Sequence, residues 1–153
     1  MSRAFVKEID PQTIELPDRS ISPHRNFVTE VGLKAIDAAL GRFEAIYKAA
    51  ADKGDAHAAA AALREVRYWR TRRASAEVLR PSLDKKQASV GSTITLQRSN
   101  GREQTFQIVG EDEADPSRGS VSYVSPLARA VLGNGLGDVV EIAGASATIF
   151  DIR

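Results

Sequence analysis

The chain of 153 residues is long enough for one ordinary domain or two small ones. Its formal net charge of +1, with 27% charged residues, gives no strong attraction to nucleic acid or to a membrane surface. Because cysteine is absent, disulfides, thiolate catalysis and cysteine metal sites are excluded. No apolar run approaches the roughly 18 residues of a membrane span, and "MSRAFVKEID" lacks the apolar core of a secretion signal. We therefore expect a cytoplasmic protein with no membrane partner.

The first 28 residues show neither the period of a strand nor that of a helix. They contain Pro11, Pro17 and Pro23, and prolines interrupt regular elements. We predict that residues 1–28 form an extended or disordered arm.

A helical spacing begins after Thr29, which suits the N-cap with Val28 as a hydrophobic staple. Intervals of three and four residues predict a helix that packs along one partner. Gly54 suits the left-handed position that ends this helix near Asp52. The predicted contact positions are Leu33, Ile36, Leu40, Phe43, Tyr47 and Ala50.

A second helix is predicted from an N-cap at Asp55 to about Leu79, before Arg80-Pro81. Since the bend is short, the two helices of residues 29–80 must be antiparallel neighbours, each about 35 Å long. The predicted contact positions of the second helix are Ala59, Ala62, Val66, Trp69, Arg73 and Ala76.

The remaining sequence has the character of a small sheet. Residues 81–89 are a polar linker, and residues 90–153 predict the order β-β-β-α-β-β with mostly antiparallel pairing. In "SPLARAVLG", Ser125 is an N-cap, Pro126 takes the first helical position and Gly133 closes the helix. The fold class is therefore α+β.

Four motifs lie along residues 90–153: "VGSTITL" (Val90 to Leu96), "IVGEDEADP" (Ile108 to Pro116), "GSVSYVSPLARAVLG" (Gly119 to Gly133) and "GD" (Gly137, Asp138). In this order and with near-family spacing, they resemble the GreA/GreB transcript-cleavage factor family. The N-terminal half is similar more loosely, through "VTEVGLKAI" (Val28 to Ile36) and "KGD" (Lys53 to Asp55). The resemblance implies a helical hairpin, or coiled coil, followed by an FKBP-like domain.

The same resemblance implies a partner, bacterial RNA polymerase. Family members dock their C-terminal domain at the rim of the polymerase secondary channel and insert the hairpin toward the active site. On the matching positions we expect docking through Ser125, Pro126, Leu127 and Arg129, by a monomer. The residue before the Ser-Pro pair is often polar or acidic in the family, whereas this chain has Val124.

Asp52 and Asp55 lie at the predicted hairpin tip. Family members carry an aspartate after the tip glycine and a glutamate three residues later, and these acids help the polymerase hold a second magnesium ion. Asp55 matches the aspartate, but Ala58 occupies the glutamate position, and Lys53 would compete with a cation. The first arm is also about ten residues shorter than in cleavage-active members, on the order of 15 Å of reach. The alternative is that both aspartates merely serve the bend, with His57 a surface residue.

Two charged segments complete the sequence. "REVRYWRTRR" (Arg64 to Arg73) is basic with interleaved aromatic residues, which allows indirect or non-specific contact with nucleic acid. We expect its arginines to form a solvated face. The acidic "EDEADPSRG" does not have the spacing of an EF-hand, so we expect it to shape the domain and its docking surface.

Three functions stay open. The first, which we favour, is a regulator that binds RNA polymerase without strong stimulation of cleavage, is not an enzyme and needs no cofactor or metal. The second is a fully active cleavage factor that uses Asp52 and Asp55. The third is prolyl isomerisation, which needs an aromatic-lined pocket. The aromatic residues of the C-terminal part are Phe106, Tyr123 and Phe150.

Overall fold

The computed structural model describes residues 14–153, and the first 13 residues of the predicted arm lie outside that range. The architecture is α+β, as predicted, with two long helices followed by a curled sheet. The N-terminal elements are β1 (Asn26–Val28), α1 (Glu30–Asp52), α2 (Ala56–Ser75) and β2 (Ala76–Val78). The C-terminal elements are β3 (Thr93–Arg98), β4 (Glu103–Val109), β5 (Ser120–Ser122), α3 (Pro126–Val131), β6 (Val139–Ile142) and β7 (Ala145–Ile152). Within the described range, neither long helix is apolar enough to cross a membrane.

Helices α1 and α2 form the predicted hairpin, and their caps confirm the sequence prediction. The Thr29 side chain accepts a hydrogen bond from the backbone N–H of Gly32 at 2.9 Å. Gly54 takes the left-handed conformation with φ of +70° at the bend. Asp55 accepts from the backbone N–H of Ala58 at 3.0 Å and so caps α2. The bend is therefore specified by local side chains.

The contact face between the helices matches the prediction in part. Ile36 and Ala50 of α1 and Val66 of α2 are buried as predicted. Arg73, however, is exposed and pairs with Asp37 of α1 at 2.5 Å. The neighbouring Arg72 is buried in its place, because this end of α2 faces the C-terminal domain as well as α1.

The predicted end of α2 near Leu79 is wrong, since the helix ends at Ser75. The next three residues are extended and pair in parallel with β1, in the register Asn26 to Ala76 and Val28 to Val78. The Leu79 N–H continues this ladder by donating to the Val28 carbonyl at 2.8 Å. A short pair of parallel strands therefore joins the two ends of the hairpin at its base.

The C-terminal sheet has the strand order β5-β4-β3-β7-β6, in which only the β4–β5 pair is parallel. Its element order is the predicted one. Helix α3 packs on this sheet with Ala128 and Val131 buried. Ala88, inside the predicted linker, belongs to the same core: its N–H donates to Asn134 at 2.8 Å and its carbonyl accepts from Gly133 at 2.9 Å. The name FKBP-like for this domain stays a prediction.

Candidate functional site

The hairpin tip exposes both aspartates that the sequence singled out. Asp52 is the last residue of α1 and Asp55 precedes α2, on opposite sides of the Lys53-Gly54 bend. One Asp55 oxygen is engaged by the Ala58 N–H, as a cap requires. Among residues 14–153, no group of three or more carboxylate, imidazole or thiolate side chains is placed to hold a metal ion. The tip therefore offers two separate carboxylates. His57 is exposed beside them and is not part of any cluster of three potential metal ligands among the described residues.

The predicted docking residues lie around the start of α3. The Ser125 hydroxyl accepts the Ala128 N–H at 3.2 Å and caps the helix, with Pro126 at the first helical position. Pro126 and Arg129 are exposed, whereas Ser125 is half-buried. Leu127 packs against the core of the domain, so its side chain supports the helix more than it offers a free surface.

Part of the basic face of α2 is occupied by the chain's own N-terminal segment. We call residues 14–25 the strap, because they run along α2 without helix or strand. Arg64 donates to the Pro17 carbonyl at 2.8 Å, and Arg67 pairs with Asp18 at 2.5 Å. Arg19 of the strap places its guanidinium 3.6 Å from the Tyr68 ring centroid.

The remaining arginines of this helix are also paired. Arg70 contacts Glu44 at 3.3 Å and Arg73 contacts Asp37 at 2.5 Å. The predicted solvated face is present at Arg70 and Arg73, which are exposed, but these arginines are paired within the chain. The geometry gives no support to nucleic-acid binding through α2.

The acidic loop between β4 and β5 contacts the N-terminal elements through three successive residues. Glu111 accepts from the Ser22 hydroxyl of the strap at 2.8 Å. Glu113 accepts from the Thr29 hydroxyl at the start of α1, at 2.7 Å. Between them, Asp112 reaches α2. The loop was expected to shape the domain and its docking surface, and its side-chain contacts lie at the junction with the hairpin.

Arg72 is the central residue of that junction and was missed by the sequence reasoning. Its Nε lies 2.5 Å from Asp112 Oδ2, and the two side chains are only 2% and 10% exposed. Its Nη2 donates to Asn26 Oδ1 at 2.7 Å, and Asn26 returns a bond to the Arg72 carbonyl at 2.8 Å. The Tyr68 hydroxyl donates to the other Asp112 oxygen. Two features of the sequence could have indicated this site. Arg72 is adjacent to the predicted contact position Arg73, and the chain also contains an acidic loop without the spacing of a metal site, which could supply a partner for a buried arginine.

At the same junction, the C-terminal domain makes two close contacts with the backbone of residues 25–27. The Tyr123 hydroxyl donates to the Arg25 carbonyl, and its ring packs edge-on against Phe27 at 5.4 Å. A Cβ added at Gly110 would lie 2.7 Å from the Phe27 carbonyl oxygen. A side chain at this position would therefore push β1 away from the sheet.

The environment of the junction is also visible in its tyrosines. Burial, followed by the hydrogen bond to Asp112, raises the pKa of Tyr68 to about 12. Burial likewise raises the pKa of Tyr123 above its ordinary value. Both hydroxyls therefore stay protonated and act as donors throughout the neutral range.

The aromatic residues considered for prolyl isomerisation do not line a common cavity. Phe106 and Tyr123 are buried in the core, and Phe150 is exposed on the sheet.

Comparisons with known proteins place the C-terminal domain. A family model described as "Transcription elongation factor, GreA/GreB, C-term" matches residues 83–152. "Transcription elongation factor GreA" of Alkalilimnicola ehrlichii is 45% identical over 71 residues, which cover 44% of this chain and 45% of that protein. The protein of the same name from Paracoccus denitrificans is 42% identical over 83 residues, 51% of this chain and 53% of that one. The chain thus spans about half the length, or less, of the curated relatives it matches.

Solved structures that align over most of the chain include one from Thermus thermophilus. It is the "GreA factor homolog 1 (Gfh1) protein" of Thermus thermophilus, 19% identical over 85% of this chain and 99% of that one, with a TM-score of 0.42. A likeness at that level carries no functional inference. The family match is different, because residues 83–152 contain every element from β3 to β7. Residues 83–152 thus match the C-terminal domain of the GreA/GreB transcription elongation factors, and the chain is similar to that family through this domain.

Proposed function

We propose that the protein binds bacterial RNA polymerase at the rim of the secondary channel and regulates elongation with little or no stimulation of transcript cleavage. In this proposal it is not an enzyme. The observation that carries the second half is at the tip. The Asp55 carboxylate caps α2 by bonding the N–H of Ala58, the position where the family has its second acid.

The chemistry of a metal site explains why this matters. A magnesium ion takes several oxygen ligands and requires compensating negative charge. Ala58 supplies only a methyl group, so the acidic pair of the family is incomplete on α2. Asp52 lies across the bend, and the Lys53 cation stands between the two carboxylates in sequence. With 23 residues in α1, the arm is also only about 35 Å long.

The docking half of the proposal is supported by the exposed side of α3. Pro126 and Arg129 face solvent, while Ser125 and Leu127 hold the helix in place. We expect purified protein to co-elute with core polymerase and Arg129→Glu to weaken the complex. Arg102→Glu, at the exposed β3–β4 turn, is the matched control because it makes the same charge change away from α3. Failure of the unaltered protein to co-elute would overturn the proposal.

RNA cleavage in a backtracked elongation complex tests the second half. We expect no stimulation by this protein alone and slower cleavage when it competes with a GreA factor of the same organism. The second candidate function, cleavage with Asp52 and Asp55, is favoured by the exposure of both carboxylates at the tip. Asp55→Ser separates the roles, since serine keeps the helix cap but removes the carboxylate. Cleavage that the unaltered protein stimulates and Asp55→Ser abolishes would establish the second candidate instead.

A further inference from the structure

We propose that Arg72, Asp112, Asn26 and Tyr68 form an orienting clamp, which fixes the direction of the hairpin relative to the C-terminal domain. Arg72 and Asp112 are then positioning residues for the hairpin tip. The part of this inference that concerns the polymerase rests on the proposed function. The part that concerns the free protein does not.

The clamp is geometrically complete. Both Asp112 oxygens are used, one by the Arg72 guanidinium and one by the Tyr68 hydroxyl. The guanidinium also reaches Asn26 of β1, and the Asn26 amide returns to the α2 backbone. One carboxylate from the C-terminal domain therefore joins α2, and through Arg72 the strand β1, at a nearly dry site.

Three attachment points explain why direction is fixed as well as distance. A single contact between two bodies leaves rotation about it. Here Glu111 holds the strap, Asp112 holds α2 and Glu113 holds the start of α1. Three contacts to three separate elements remove the rotations that one contact would leave.

The covalent connection alone does not supply this constraint. Residues 81–87 between β2 and the core are exposed throughout. Linkers with few packing contacts permit relative motion of the parts they join. The buried ion pair is also a poor source of net stability, because desolvating two charges offsets most of their attraction. A buried polar group of this kind is better explained by the specific arrangement that it selects.

Distance measurements in the free protein test the inference. Because the chain has no cysteine, Lys53→Cys at the tip and Arg102→Cys on the sheet give two clean spin-label sites. We expect pulsed electron paramagnetic resonance to give one narrow distance distribution. Replacing both clamp charges with apolar groups, Arg72→Met with Asp112→Leu, should at least double its width while circular dichroism stays helical.

The control is the adjacent ion pair. Arg73→Met with Asp37→Leu removes an equal pair of charges that is exposed and lies wholly within the hairpin, so the distribution should stay narrow. If the apolar clamp variant does not fold, Arg72→Lys replaces it. Lysine keeps the charge but lacks the planar fork that joins Asp112 and Asn26, so it should broaden the distribution too. A folded clamp variant as narrow as the parent would refute the clamp.

A second readout separates orientation from docking. On RNA polymerase, the clamp variant should retain its affinity within about twofold, since α3 is untouched, while cross-linking from the tip at residue 53 is lost or dispersed. If the unaltered protein does not bind polymerase, the proposed function fails and the resonance result still decides the clamp. If affinity and cross-linking fall together, Arg72 contributes to docking itself and the positioning role is wrong.

Discussion

Removing the Asp112 carboxylate is the sharpest single perturbation of this molecule. Asp112→Ala leaves the Arg72 guanidinium buried at 2% exposure with Asn26 as its remaining side-chain partner, and it deprives Tyr68 of its acceptor. Breaking one partner from a buried ion pair costs about 3–5 kcal/mol because the remaining charge is uncompensated. For a chain of this size, that loss corresponds to a fall in melting temperature of about 6–20 °C.

The assay is thermal unfolding followed by the fluorescence of Trp69, the single tryptophan. Its ring packs edge-on against Tyr68 at 5.0 Å and therefore reports on α2 beside the clamp. Asp37→Ala is the matched control, because it frees the exposed Arg73 and should cost no more than about 1 kcal/mol. If the two variants lower the melting temperature equally, the burial argument is wrong.

Four further predictions concern the junction and the tip. Gly110→Ala places a Cβ 2.7 Å from a backbone oxygen of β1 and should lower the free energy of unfolding by about 1–3 kcal/mol in a denaturant titration. Gly32→Ala places a Cβ 2.5 Å from Glu113 Oε2, the oxygen that accepts from the Thr29 hydroxyl. Displacing this flexible side-chain end offsets the gain of about 1 kcal/mol in helix propensity, so the same titration should show almost no change. Since the pKa of Tyr68 rises from 10 to about 12 on folding, its contribution is present below pH 10 and lost as the pH rises toward 12. That loss, at most about 1 kcal/mol after solvent screening, should be absent in Tyr68→Phe when unfolding is compared at pH 9 and 11. Asp55→Ala should lower the melting temperature through a cap worth about 1 kcal/mol, whereas Asp55→Ser should not.

The parts of the fold that depend on local chemistry were predictable from the sequence. Thr29, Asp55 and Ser125 were predicted as helix caps and all three accept the expected backbone N–H. The order of elements along the C-terminal domain also followed from alternation and turn residues. In each case the determining residues lie within a few positions of one another.

The errors arise where distant segments decide the outcome. Ala76 to Val78 continue the helical pattern of α2, yet they pair with a strand about 50 residues earlier in the chain. Likewise, Arg73 was predicted as a contact position because the helical spacing was matched to α1 as the only partner of α2. Arg72 is buried by Asp112, which is 40 residues away in sequence. A pattern read along one helix does not contain that information.

The parallel pairing of β1 with β2 determines how the length of the hairpin can change in evolution. Because the chain enters and leaves the hairpin through one hydrogen-bonded strand pair, residues can be added to both arms near the tip, beyond the strap contacts of Arg64 and Arg67, without changing the base. Equal insertions of seven residues into both arms would extend the hairpin by about 10 Å while preserving the helical face. The β1–β2 strand pair, the acidic loop and α3 would be unaffected. The length of the hairpin can therefore change in evolution without changing the residues that attach the hairpin to the C-terminal domain.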